Sequence, residues 1–267
     1  MASNEVLSIF LTSPSKYALY RVFSYIVATA IFIFETFLDT HYREIDTQLA
    51  NQKALTKPWY RTMALRFQYG DGFSLATDQD YYDNTGKNDT EIEASKIIKY
   101  AAVTDGDEKG VVVVKIAGKT DAVLAPITEE QKTSVVAYFE EIKGAGTYVN
   151  IINFLPDRLY LNIEIYRDPL VLDSEGNSIK TGGKPVEIAI NEFMKELPFN
   201  GELIIQSLVD KLQLAEGVRI VNVREVKSSW IDAELDDYGQ PTQFNVKRIP
   251  VSGYYTVVNF DAITYVV

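Results

Sequence analysis

Few residues in this 267-residue chain have the types and spacing that chemistry needs. It holds one histidine, His41, and no cysteine. A histidine triad or histidine-rich metal centre would have to be built around His41 alone. Thiolate catalysis, disulfides and cysteine zinc sites are excluded, and an oxidising compartment gains no support. Asp78 and Asp80 have the spacing of a metal-holding acidic pair in a nucleotidyltransferase, but no Gly-Ser turn precedes them and their surroundings are turn-rich. "DSEGN" (Asp173–Asn177) alternates oxygen ligands as calcium loops do. The twelfth position from Asp173 is Lys184, followed by Pro185, where such a loop needs a bidentate glutamate, so a hairpin turn accounts for the pattern. "GDG" (Gly70–Gly72) is too short to cradle phosphate and precedes no helix. Asp105 with Asp107, and Asp236 with Asp237, read as solvated loops. The expectation is a protein that is not an enzyme and needs no metal or cofactor.

Composition narrows the partners. A net charge of −11 and a pI near 4.7 argue against phosphate-mediated binding to nucleic acid, which needs clustered Lys and Arg. Hydrophobic residues make up 46%, with 17 Tyr and 13 Phe, so one large or two modest domains can bury a core.

The elements that would position any site begin with an apolar block. "VFSYIVATAIFIF" (Val22–Phe34) is uncharged between Arg21 and Glu35, but its 13 residues fall short of the roughly 20 that span a bilayer. The acid in "MASNEV" sits where a signal peptide needs basic residues. From Leu38, apolar residues recur at Tyr42, Ile45 and Leu49 among Asp39, Arg43, Glu44, Asp46, Thr47 and Gln48, a one-sided helix. The pattern predicts one long helix, or two joined ones, over Lys16 to about Lys57, stopped before Pro58. Its first half is apolar on every side and must be enclosed, by the chain's own core or by other subunits. "WYRTMALRFQYGDGFSL" (Trp59–Leu75) lacks clean periodicity, and Thr77–Glu91 reads as a boundary or exposed loop.

The second half is more regular. "ASKIIKYAAVTDG" and "KGVVVVKIAG" read as a hairpin across "DGDEKG". "ITEEQKTSVVAYFEEIKGAG" reads as a helix capped by Thr128 with Gln131, stopped at Gly144, burying Val135, Val136, Phe139 and Ile142. "TYVNIINFL" and "RLYLNIEIYR" read as strands, the second burying Leu159, Leu161, Ile163 and Ile165. Helices are expected over Pro185–Leu197 and Leu203–Ala215, ended by Gly217. Ile188, Ala189, Phe193, Leu208 and Leu212 would face in, and Glu187, Asn191, Lys195 or Gln206 out. The strand "VRIVNVREV" follows, and "GYYTVVNFDAITYVV" closes the chain as a hairpin or pair of strands. The fold class is α+β: a long N-terminal helical arm, then small mixed domains with strand-helix-strand and strand-helix-helix-strand units. The expected divisions are an arm at 1–60, an irregular segment with a hairpin at 61–110, a middle domain at 111–167 and a C-terminal α+β domain at 168–267.

The order "VVVVKIAG…ITEEQKTSVVAYFEEIKGAGTYVNIINFLPDRLYLNIEIYRDPLVLDSEG" resembles the middle of baseplate J-like proteins, the wedge subunits of phage tails and related contractile injection systems. The pattern is a strand, a helix ending in a glycine-bearing turn, a strand, then an alternating strand. The family's closing domain is matched by Pro185-Val186 at a helix start, Gly201-Glu202 entering a second helix and Gly217-Val218 stepping into a strand. The likeness covers about 111–226 and, more weakly, the last strands. The first 110 residues match only in general character. The resemblance implies a structural subunit of a virion tail baseplate, in contact with copies of itself and with other wedge and hub proteins. The acidic charge speaks against nucleic acid and the charges around the apolar block against membrane insertion, and no small-molecule substrate is expected. The interface is then expected on Phe23, Val27, Phe34, Leu38, Tyr42, Ile45, Leu49, Trp59 and Tyr60. A different reading is a membrane-associated ligand-binding protein anchored by the apolar helix. Arg21, Glu35 and the polar continuation count against it.

Overall fold

A computed structural model describes residues 19–50, 53–120, 123–232, 235 and 237–267, with only the backbone of 46–50. The expected helix start at Lys16, the side chain of Leu49, and Asp236 lie outside the described residues. The protein is α+β, and its chain divides into two compact units, 1–54 and 55–267.

The first unit contains α1 (Leu19–Ala50), 32 residues without Gly or Pro. In the second unit, α2 (Lys57–Arg66) begins with Pro58 in its first turn. Pro58 was expected only to stop a helix, but a proline's missing N–H costs nothing at a helix start. Trp59, Tyr60, Met63, Ala64 and Phe67 repeat along one face of this segment and are buried. A short helix, α3 (Asp89–Ser95), begins inside the expected loop, where Asn88 and Glu91 cap each other's backbone N–H.

The first sheet follows. β1 (Tyr100–Asp105) pairs antiparallel with β2 (Val111–Thr120), as the hairpin pattern predicts. β3 (Val123–Ala125) pairs with the end of β2. The chain then crosses over through α4 (Glu129–Ile142) to β4 (Tyr148–Ile152), parallel to β2. Thr128 and Gln131 form the expected capping box. The face of α4 differs by one residue: Tyr138 is buried and Val136 exposed, because steps of about 100° keep 135, 138, 139 and 142 together and turn 136 away. The left-handed glycine after α4 is Gly146 (φ +80), two residues beyond Gly144. Side chains from 59–151 make the first core.

The second sheet centres on β5 (Asp157–Arg167), which alternates as predicted. α5 (Pro185–Glu196), the two-residue β6 (Leu203–Ile204) and α6 (Ile205–Gln213) lead to β7 (Val218–Ser229), antiparallel to β5. β8 (Ile231–Asp232) and β9 (Asp237–Tyr238) form a small hairpin. β10 (Thr242–Gln243) pairs with the end of β7, and β11 (Lys247–Arg248) with β6. β12 (Tyr255–Val257) and β13 (Ile263–Val266) do not form a hairpin with each other: both run parallel to β5, at successive stretches of one edge. The second core draws on 159–263. β5 therefore belongs with the second core, while the expected 110/111 boundary falls inside the β1–β2 hairpin.

In α5, Val186, Ala189 and Ile190 are buried, and Ile188, expected inside, is exposed on the opposite face. β7 continues past "VRIVNVREV" through Lys227, and Ser228 and Ser229 are buried at its end.

Candidate functional site

The largest feature without an internal explanation is the surface of α1. β-branched residues Val22, Ile26, Val27, Thr29, Ile31 and Ile33 crowd its first half, so intrinsic propensity contributes little to it. Local links add support in the second half. Thr36 and Thr40 hydroxyls donate to the carbonyls of Phe32 and Thr36, and Arg43 pairs with Asp39 at 2.8 Å. Yet Phe32, Ile33 and Phe34 are 68%, 62% and 61% exposed, and Tyr25, Ile26, Ile31 and Phe37 are open as well. Contiguous apolar surface of this kind marks a contact with protein or membrane.

Of the residues expected at an interface, Phe23, Val27, Phe34, Tyr42 and Ile45 are exposed on α1, and Leu38 is half-buried. Leu49 has no described side chain. Val27, Ile31, Phe34, Leu38, Tyr42 and Ile45 follow one another at steps of 4, 3, 4, 4 and 3. That spacing lays a single seam along the helix, as in helices that pack side by side. His41 is exposed and its ring stacks on Phe37. Trp59 and Tyr60 are a correction: at 6% and 1% exposure they belong to the first core, where Tyr60 also meets Phe139. Their aromatic character signalled burial, and the repeat 59/60/63/64/67 was the legible sign of it.

On the outer faces of α5 and α6, Asn191, Lys195 and Gln206 are exposed and Glu187 is half-buried, with Ile188 an exposed apolar residue among them. Lys184 pairs with Glu187, Lys211 of α6 pairs with Glu196 of α5, and the Gln206 amide donates to Asp210. Between the helices lies a groove of about 390 Å³ lined by Pro185, Ile188, Ala189, Glu192, Lys211 and Leu214. The sequence pattern missed it, because Ile188 was assigned to the core.

A second cleft, about 610 Å³, lies between the 67–75 segment and α4. Tyr82 and Tyr138 stack there, ring centres 5.8 Å apart. Burial pushes the Tyr82 phenol up to about 12 and the Tyr138 phenol higher still, so both stay protonated at neutral pH. Asp71 and Glu141 are its carboxylates, and its lining holds no histidine or lysine. These groups suit packing and hydrogen bonding more than proton transfer.

Asp173 shows what the calcium-like spacing does. Its carboxylate accepts the N–H groups of Glu175 and Asn177 and the side-chain amide of Asn177. The Asn177 bonds hold its pKa below the usual carboxylate range. It ties a turn. Among the described residues, no three His, Asp or Glu side chains gather as a metal site. No known family model matches the chain, and no curated protein sequence matches it.

Proposed function

We propose that this chain is a structural subunit of a phage tail baseplate wedge, or of a related contractile injection machine, working through protein–protein contacts around a tail hub. The observation that carries this reading is the exposed apolar helix α1, which leaves a long hydrophobic surface to be covered. The strand-helix-strand order of 111–167 and the helix pair of 185–213 support it through their resemblance to baseplate J-like proteins. The partners are copies of this chain and other wedge or hub proteins, and the place is the virion. The acidic balance fits contact with protein in preference to DNA.

One observation favours a second reading. Leu19–Ile45, 27 residues, is long and apolar enough to cross a bilayer by length and composition. Anchoring would make the protein a membrane-associated ligand binder. Its uncharged run, Val22–Phe34, extends only about 20 Å at 1.5 Å per residue, against a hydrocarbon layer of about 30 Å. Glu35, Asp39, Arg43 and Glu44 would then lie in or near lipid, which favours burial between proteins.

Light scattering of the full chain without detergent tests the choice. Soluble oligomers that Phe32→Asp converts to monomers support the wedge reading. Insolubility relieved by detergent, with flotation on lipid vesicles, supports the anchor and overturns the wedge.

A further inference from the structure

The two cores within 55–267 are separate and apolar, while a buried polar cluster joins them. Lys115 belongs to β2, between Val114 and Ile116 of the first core. Strand alternation sends its side chain to the other face of the sheet, where it is 8% exposed. Its Nζ donates to Asn200 Oδ1 at 2.8 Å and to the Pro250 carbonyl at 2.7 Å. Asn200 lies in the turn between α5 and β6, and Pro250 in the turn between β11 and β12.

Both turns are themselves fastened. Asn200 has φ +59, and its N–H donates to the Gly253 carbonyl at 2.6 Å. Asp157, fully buried at the start of β5, accepts the N–H groups of Val251 and Ser252 at 2.7 and 3.0 Å. Its own N–H reaches the Tyr254 carbonyl and Ser252 Oγ. Phe199 lies between the rings of Tyr100, on β1, and Tyr254, with centres 6.0 and 6.1 Å apart.

We propose that Lys115 is a latch that fastens the first lobe to the Asn200 and Pro250 turns of the second, so that 55–267 moves as one rigid body. An ammonium has three donors and no acceptor, and burying it is costly unless its hydrogen bonds are met. Two are met only while both turns stand opposite β2. Parting the lobes would break both bonds together and expose the paired oxygens. An apolar residue of similar length could fill the space without specifying which turns face it. The latch is independent of the wedge reading. Within that reading, the surfaces of both lobes would be carried together as the machine moves.

Lys115→Met in the full chain tests it. The native protein should unfold 55–267 in a single calorimetric transition, and the variant in two. Amide exchange at 199–201 and at 249 and 251–254 should quicken about tenfold or more, while the centres of β5 and β7 stay protected. Two transitions in the native protein would overturn the latch. So would a variant with one transition and unchanged exchange in those turns. If Lys115→Met cannot be obtained folded, Asn200→Gly decides. Glycine keeps the left-handed backbone and deletes the side-chain acceptor. Faster exchange at 249 and 251–254 then supports the latch, and unchanged exchange overturns it.

Discussion

Helices α1 and α6 use the same kind of residue to opposite ends. In α6, Leu208 and Leu212 are completely buried against the second sheet, while Gln206 and Asp210 bond each other on the outer face. In α1, aromatic and aliphatic residues stand in the open over more than three turns. The nine residues of α6 would be marginal alone and are held by the core they complete. Among the described residues, no side chain of α1 joins either core. The packed cores of this chain therefore lie in 55–267, and under the proposed reading association falls to α1.

The largest effect should come from reversing polarity in the buried helix. Leu208→Asp buries a charge without a partner and should cost on the order of 5 kcal/mol, abolishing cooperative unfolding of the second lobe in denaturant titrations. Phe32→Asp places the same charge on α1. It should leave the unfolding midpoint of 55–267 unchanged within about 0.5 kcal/mol and abolish self-association. Loss of folding in both would break the comparison.

Next comes a contrast within one helix. Ile190 is fully buried in α5, and Ile188 is exposed two residues away. Ile190→Ala should cost about 2–5 kcal/mol. Ile188→Ala should stay within about 0.5 kcal/mol in the free chain. A comparable cost at both positions would mean that the groove beside Ile188 closes in solution.

Ile188 also shows how far sequence alone could be read. Burial was predicted for it because it is apolar, yet the stripe 186, 189, 190 and 193 already fixed the inner face. In α4, likewise, residue type alone favours burial of Val136, while the helical period favours Tyr138. Where period and residue type agreed, as in the alternation of β5 or the box of Thr128 and Gln131, prediction and structure coincide. Tertiary pairing was another matter. Nothing local in "GYYTVVNFDAITYVV" says that its two strands pair with β5 and not with each other, since parallel partners lie about a hundred residues away. Lys115 was equally hidden: in sequence it is one lysine between the apolar runs of β2, and its acceptors come from two distant turns. The apolar surface of α1 was the most legible candidate, because a helix apolar all round must be covered by something. Trp59 and Tyr60 were assigned to that surface only because they follow it in the chain.

Smaller again is the cap of α4. Thr128 Oγ1 accepts the Gln131 N–H, and Gln131 Oε1 accepts the Thr128 N–H. Thr128→Ala should cost about 1 kcal/mol in urea titrations, with the circular dichroism of the folded chain preserved. An equal loss of self-association would tie α4 to the interface and blur the division between body and arm.

The smallest expected effect compares two ion pairs. Arg43 and Asp39 are four residues apart on α1, so their contact can steady only that helix. Arg219 and Asp168 join the start of β7 to the turn after β5, and so report on the body. The Leu170 N–H, and after it the Arg219 guanidinium, hold the Asp168 carboxyl below its usual 3.8. A lowered folded-state value means that the unfolded chain takes up this proton first as pH falls. The stability contributed by Asp168 is therefore present above 3.8 and lost as pH falls through the folded value. Asp168→Asn should be less stable than the native chain at neutral pH. Its deficit should shrink toward zero between about pH 5 and 2, and should be smaller in high salt because the pair is partly exposed. Urea midpoints at a series of pH values measure this. A deficit that stays constant down to pH 2 would mean that the substitution acts through the Asp168 turn and not through charge. The Arg219 pair would then contribute nothing measurable to the β5–β7 end.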